Sequence, residues 1–274
     1  ETAGFTVAVV IKPEGIKPVT AEEGKRVDRK PDVRRQDRPE GAEVVREVGD
    51  RVIIQLNNQI FVESNEEGRM SRGAEEVYYE DLPRGRTRET IVRPNGNRIV
   101  TIRDRYGDVI QRSRITPDGR EYILNYVEEE HRRRGDDYEW RDPGDDLPPM
   151  RTNTRRQDYI LESEYVDDPE DYYDFLEQPP VEKVQRLYSV DEVKRSARVR
   201  DIARRVDLDT LTFEFGSASI PDAEIEKLQG VADAMNKLLE KNPAETFLIE
   251  GHTDAVGSDV ANLALSDRRA ESAA

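Results

Sequence analysis

The sequence predicts an α+β protein in which an antiparallel β-meander and long acidic linkers precede a C-terminal βαβα unit. Three observations carry this. Charged residues make up 37% of the 274 residues and hydrophobic residues only 35%, against roughly 45–50% apolar in typical globular proteins. Small folded modules joined by solvated segments are therefore expected rather than one large core. Turn signals recur at Gly96, Gly107 and Gly119, with β-branched and aromatic runs between them. From Asp207 onward the apolar pattern switches between strand and helix periods, twice over.

Composition excludes several function classes. Lys and Arg number 43 against 59 Asp and Glu, a net charge of −16, and so acidic a chain repels phosphate backbones, so no nucleic-acid partner is expected. With no cysteine there is no disulfide framework, zinc ribbon, thiol nucleophile or acylated cysteine anchor. The longest apolar run is Val7-Ala8-Val9-Val10-Ile11, far short of the roughly 20 residues of a membrane-spanning helix. Glu1 follows no initiator Met and no basic leader, so the chain is expected to be a processed protein or an excised stretch.

Residues 1–50 open with that apolar patch and turn polar, with Pro13, Pro18, Pro31 and Pro39 among mixed charges. They read as a flexible charged arm, with Arg34-Arg35-Gln36-Asp37-Arg38 open as a docking patch or a solvated tether. Residues 51–127 form the meander. Arg51–Leu56 and Gln59–Glu63 flank Asn57-Asn58, a pair suited to a two-residue hairpin turn. The runs Arg98–Arg103, Val109–Ile115 and Glu121–Val127 follow between the glycine turns. Both faces of these strands carry polar residues, so a largely single-layer sheet or part of a repeat array is expected. Such a sheet is either a stiff spacer or a partner-binding edge for another protein.

Residues 128–180 read as an acidic disordered linker, from Glu128-Glu129-Glu130 to Pro179-Pro180. Tyr165–Asp174 concentrates carboxylates but lacks the alternating positions and central glycine of a calcium loop, so no metal is expected there. Residues 181–206 form a short helical connector, opened by the capping pattern Ser189-Val190-Asp191-Glu192.

In residues 207–274, Leu211, Phe213 and Phe215 alternate with polar neighbours as a strand. A helix is expected from Pro221 to Lys241 with an apolar stripe of Ile225, Leu228, Ala232, Met235 and Leu239. Thr246–Glu250 is the next strand, central in its sheet and parallel to the first. A second helix is expected from Ser266.

The motifs Phe213-Glu214-Phe215-Gly216-Ser217, Glu250-Gly251-His252-Thr253-Asp254, Gly257-Ser258, Asn262 and Leu265–Ala270 stand in one order and spacing that resembles the OmpA-like peptidoglycan-binding domain. The resemblance covers roughly residues 207–274. Ala274 falls inside the second helix, where that family continues with further strands and a helix, so the domain is expected to be incomplete. Two positions depart from the common pattern: Gly216 stands where many relatives carry Asp, and Ala261 where many carry an aromatic residue. The resemblance implies non-covalent binding of peptidoglycan. It places Asp254 and Arg269 on the two charged ends of diaminopimelate in the stem peptide. Asn262, Thr253, Gly257, Gly216 and Ser217 would surround them. It also implies a Gram-negative periplasm, beside the outer membrane and cell wall, with any anchor outside this stretch.

No enzyme is read here. His131 and His252 are the only histidines, there is no G-x-S-x-G, and neither a cofactor nor a metal is expected. Two function classes follow. The first is a cell-wall-binding module on a long acidic tether. The second is a β-sheet interaction or adhesion protein whose C-terminal domain only localises the chain.

Overall fold

The computed structural model describes residues 3–8, 16–29, 41–56, 59–64, 66–132, 139–150, 154–253 and 258–274. In chain order the strands are β1 (Ala3–Ala8), β2 (Lys25–Val27), β3 (Glu43–Val48), β4 (Arg51–Leu56), β5 (Gln59–Ser64), β6 (Glu76–Leu82), β7 (Arg86–Val92), β8 (Arg98–Arg103), β9 (Val109–Ile115), β10 (Glu121–Tyr126), β11 (Ile160–Glu162), β12 (Arg205–Leu208) and β13 (Thr246–Gly251). The helices are α1 (Glu66–Met70), α2 (Arg156–Tyr159), α3 (Glu170–Leu176), α4 (Val190–Arg195), α5 (Ala197–Arg200), α6 (Asp222–Lys241) and α7 (Asp259–Ala273). They build three sheets: a six-stranded antiparallel sheet in the order β10-β9-β8-β7-β6-β2, a three-stranded sheet β3-β4-β5, and a four-stranded sheet β11-β12-β1-β13.

The meander forms where the turn chemistry places it. Gly96, Gly107 and Gly119 take φ of 79°, 93° and 83°, and their N–H groups close on the carbonyls of Arg93, Asp104 and Thr116. A side chain at such φ is strained, so glycine sets each turn and thereby the register. Strands β4 and β5 pair as a hairpin ending at Leu56 opposite Gln59; the turn at Asn57-Asn58 lies outside the described residues.

The large sheet is not a bare single layer. On one face, Val19 is fully buried against Leu82, Val100, Ile102, Ile110 and Ile115. Arg88 there donates to the carbonyl of Glu22 at 2.9 Å, and Gln111 to that of Lys17 at 3.0 Å. On the other face, α1 lays Glu66 over Arg112 and Arg103, at 2.6 and 3.4 Å. Burial alone would raise the Glu66 carboxyl; Arg112, Lys194 and Arg103 outweigh it and hold it at about 2. The polar residues that made the strands read as solvent-facing are instead paired with these covering segments. Part of the expected arm is thus structure: residues 16–24 form one cover, and β1, β2 and β3 are strands. Residues 9–15 and 30–40, including the basic run at 34–38, lie outside the described residues.

The segment 128–180 also departs from a disordered linker. Tyr172, Phe175 and Leu176 of α3 are buried in one core with Val206, Leu208, Leu211, Val231, Ala234 and Leu238. Each such side chain contributes roughly 1.5–3 kcal/mol by leaving water, enough to order a helix flanked by carboxylates. Trp140 is buried edge-to-face on Phe61 at 5.9 Å. In the connector, the capping box forms as written: Glu192 N–H donates to Ser189 Oγ at 3.1 Å, and Ser189 N–H to the Glu192 carboxylate at 2.7 Å. Ser196 then caps α5, dividing the expected single helix in two.

The C-terminal unit has its expected element types but shifted positions. Its first strand is β12, ahead of Leu211–Phe215, because a turn at Asp209-Thr210 ends the pairing and Leu211 N–H closes on the Leu208 carbonyl at 3.1 Å. Strands β12 and β13 run parallel but are not neighbours. Strand β1 lies between them, antiparallel to both, and β13 is an edge rather than a central strand. On α6 the buried residues are Val231, Ala234 and Leu238, while Ile225 and Ala232 are exposed. The stripe is rotated because α3 covers the flank of α6, with the Tyr172 ring close to Gly230.

Candidate functional site

Two loops rise from the same end of the four-stranded sheet. One follows β12 and holds Phe213, Gly216 and Ser217; the other follows β13 and starts at His252-Thr253. Helix α7 returns beneath both. Ser258 caps it, accepting from Ala261 N–H at 3.4 Å. The helix therefore starts about two turns before Ser266, whose hydroxyl donates to the Leu263 carbonyl. Arg269 is consequently deep in the helix and not in its first turn.

The approach of α7 to β13 explains the glycine in Glu250-Gly251-His252. A Cβ on Gly251 would stand 2.0 Å from the Ser266 carbonyl oxygen, a separation no side chain tolerates. The helix thus rests on the strand backbone and carries Arg269 under the loops.

Arg269 has no exposed surface. Its Nε donates to the Ser217 carbonyl at 2.9 Å and its Nη1 to the His252 carbonyl at 3.4 Å. The guanidinium lies 4.6 Å from the centre of the Phe213 ring, a cation–π stack in a desolvated place. Burial pushes its pKa below the ordinary arginine value. One side chain therefore ties both loops together. Arg268, its neighbour, is exposed, as the helical rotation of about 100° per residue requires.

Other expected residues are placed as follows. Gly216 sits at φ 69°, and the Ser217 hydroxyl accepts from Ser219 N–H at 3.1 Å. Thr253 is half-buried. Asn262 stands in the first turn of α7, its N–H on the Ser258 carbonyl, seven residues before Arg269 and so on the same helical face. Asp254 and Gly257 lie outside the described residues.

The opposite face of α7 is also held. Arg51, buried at the start of β4, reaches Asp267 at 2.7 Å and also binds Glu271. These two acids are four residues apart and flank Arg269 on the far side of the helix. The sequence assigns no part to Arg51, and it places Phe213 in a strand and in the family motif without a role in the site. An arginine before Val52-Ile53-Ile54 carries no local signal of a partner more than 200 residues away. Phe213, inside the motif, was within reach as the ring beneath a cation.

Residues 212–274 match the model of the OmpA family, under a quarter of the chain. No curated protein and no solved structure matches the chain significantly. Among the described residues no helix is long and apolar enough to cross a membrane.

Proposed function

We propose that the C-terminal unit binds peptidoglycan non-covalently, through the diaminopimelate-containing stem peptide, and holds the chain at the cell wall of a Gram-negative periplasm close to the outer membrane. The OmpA family match supports the ligand class. The observation that carries the reading is the placement of Arg269, a buried cation joined to both loops of the matched region through the Ser217 and His252 carbonyls.

A zwitterionic end group needs one anion and one planar cation at fixed separation. Asp254 follows Thr253 on the second loop and takes the ammonium. Arg269 takes the carboxylate from beneath, by exchanging a neutral carbonyl partner for a charged one; charge-assisted bidentate pairs are roughly twice as strong as neutral hydrogen bonds. Gly216, Ser217, Thr253 and Gly257 supply main-chain groups around the peptide, and Asn262 holds the second loop from the helix face it shares with Arg269. Nothing in this chemistry is catalytic; the unit acts by binding.

Co-sedimentation of the full chain with purified sacculi tests this. Asp254→Ala is expected to cost about 2–4 kcal/mol of binding, because it strands the ligand ammonium. Arg268→Ala should leave binding unchanged. Wild-type retention by folded Asp254→Ala overturns the site. A second reading, a β-sheet interaction protein, is favoured by edge strand β3, which exposes Val44 and Val45; substitutions there should leave sacculus binding untouched under the first reading.

A further inference from the structure

The binding rim stands on a strand from the other end of the chain. Strand β1 pairs Ala3 with both Leu208 and Gly251, Thr6 with both Arg205 and Leu248, and Ala8 with Thr246. Among the described residues β13 has no other strand partner, and β12 otherwise pairs only with the three residues of β11. Ala3 stands opposite the last residues of β12 and β13, the points where the two rim loops leave the sheet. One strand inserted between them sets those points about 10 Å apart, two strand spacings. Beyond those points Arg269 joins the two loops through the Ser217 and His252 carbonyls.

We infer that β1 is a positioning strand for the peptidoglycan rim, and that the slot between β12 and β13 is a docking surface for this extended segment, in cis and equally as a separate peptide. The backbone argument is direct. An interior strand uses its N–H and C=O groups on both neighbours. Without β1, the facing ladders of β12 and β13 would be buried unpaired or opened to water. The binding part of the inference rests on the peptidoglycan reading; the docking part does not.

Thr6→Pro in the full chain tests it, since proline removes an N–H from an interior strand and its ring collides with the chain. Thr6→Val keeps the backbone and serves as control. Amide exchange is read over 205–208, 246–251 and the meander strands β7–β9, alongside sacculus binding. Thr6→Pro should lose protection in β12 and β13 and weaken sacculus binding by roughly tenfold or more, with β7–β9 as protected as in the wild type. Added peptide of residues 1–8, Glu-Thr-Ala-Gly-Phe-Thr-Val-Ala, should restore both signals. Wild-type protection and binding in Thr6→Pro overturn the inference, as does loss of protection that spreads through β7–β9. If the wild-type chain fails to bind sacculi, the peptidoglycan reading falls, and exchange in β13 with and without the peptide still decides the role of β1.

Discussion

The six-stranded meander and the four-stranded C-terminal sheet are both small sheets with a helix laid on one face, yet they are assembled in opposite ways. From β6 to β10 every strand pairs with the next one along the chain, across turns a few residues long. In the C-terminal sheet the strands come from residues 3–8, 160–162, 205–208 and 246–251, and the first in sequence lies third in space. Local pairing closes short loops and non-local pairing must close long ones, which slows its formation. The meander can thus template itself. The C-terminal sheet depends on segments that have nothing in common except this meeting place, and it is the sheet whose loops hold the candidate site.

The largest effect should come from the non-local sheet. Gly251→Val drives a side chain into the Ser266 carbonyl, and the expected cost exceeds about 4 kcal/mol or abolishes folding of the unit. Urea unfolding followed separately by exchange in β13 and in β8 would show the loss confined to β13. A uniform loss would mean the two sheets are one cooperative unit. Next, Phe175→Ala should cost about 3–4 kcal/mol by leaving a cavity in the core that α3 shares with α6. A change near zero would return residues 170–176 to the status of a tether.

The meander is tested by its buried charge. Glu66, held at about 2 against an ordinary 4.5, contributes stability that is complete above the unfolded value and is lost as pH falls from about 4.5 to about 2, on the order of 3 kcal/mol. Glu89 acts in the opposite sense: burial and then Glu67 raise its carboxyl, so acidification relieves it. Glu66→Gln should therefore lower stability at neutral pH and flatten the acid limb of a stability–pH curve measured by thermal unfolding. An acid limb as steep as that of the wild type would remove Glu66 from the account. The smallest effect is local. Gly119→Ala, at φ 83° with open space around it, should cost about 1 kcal/mol from the left-handed backbone alone, read as a small shift in the same melting curve.

How much was legible follows the same division. The glycine turns, the Arg98–Arg103, Val109–Ile115 and Glu121–Tyr126 strands, the Ser189 capping box and the long helix α6 were all readable, because each is decided within a few residues of itself. The motif was readable as a pattern, with Arg269 inside it. Its burial was not, because that depends on Phe213, Ser217 and His252 closing over it from two loops. The arm and the acidic segment were misread for one shared reason. Composition reports how much apolar surface a stretch owns, not how much a distant partner covers, and Val19 or Phe175 is enough to bind a polar stretch to a core.

The amino-acid sequence by itself determined the glycine turns of the meander, the Ser189 cap, the long helix α6 and the residues of the matched motif, since turn dihedrals, helix caps and apolar periods act over distances of a few residues. Only the tertiary structure decided that β1 separates β12 from β13, that Arg269 is buried between two loops, and that Arg51 clamps the far side of α7. These are contacts between groups up to about 250 residues apart, and their free energy exists only once the chain has brought them together.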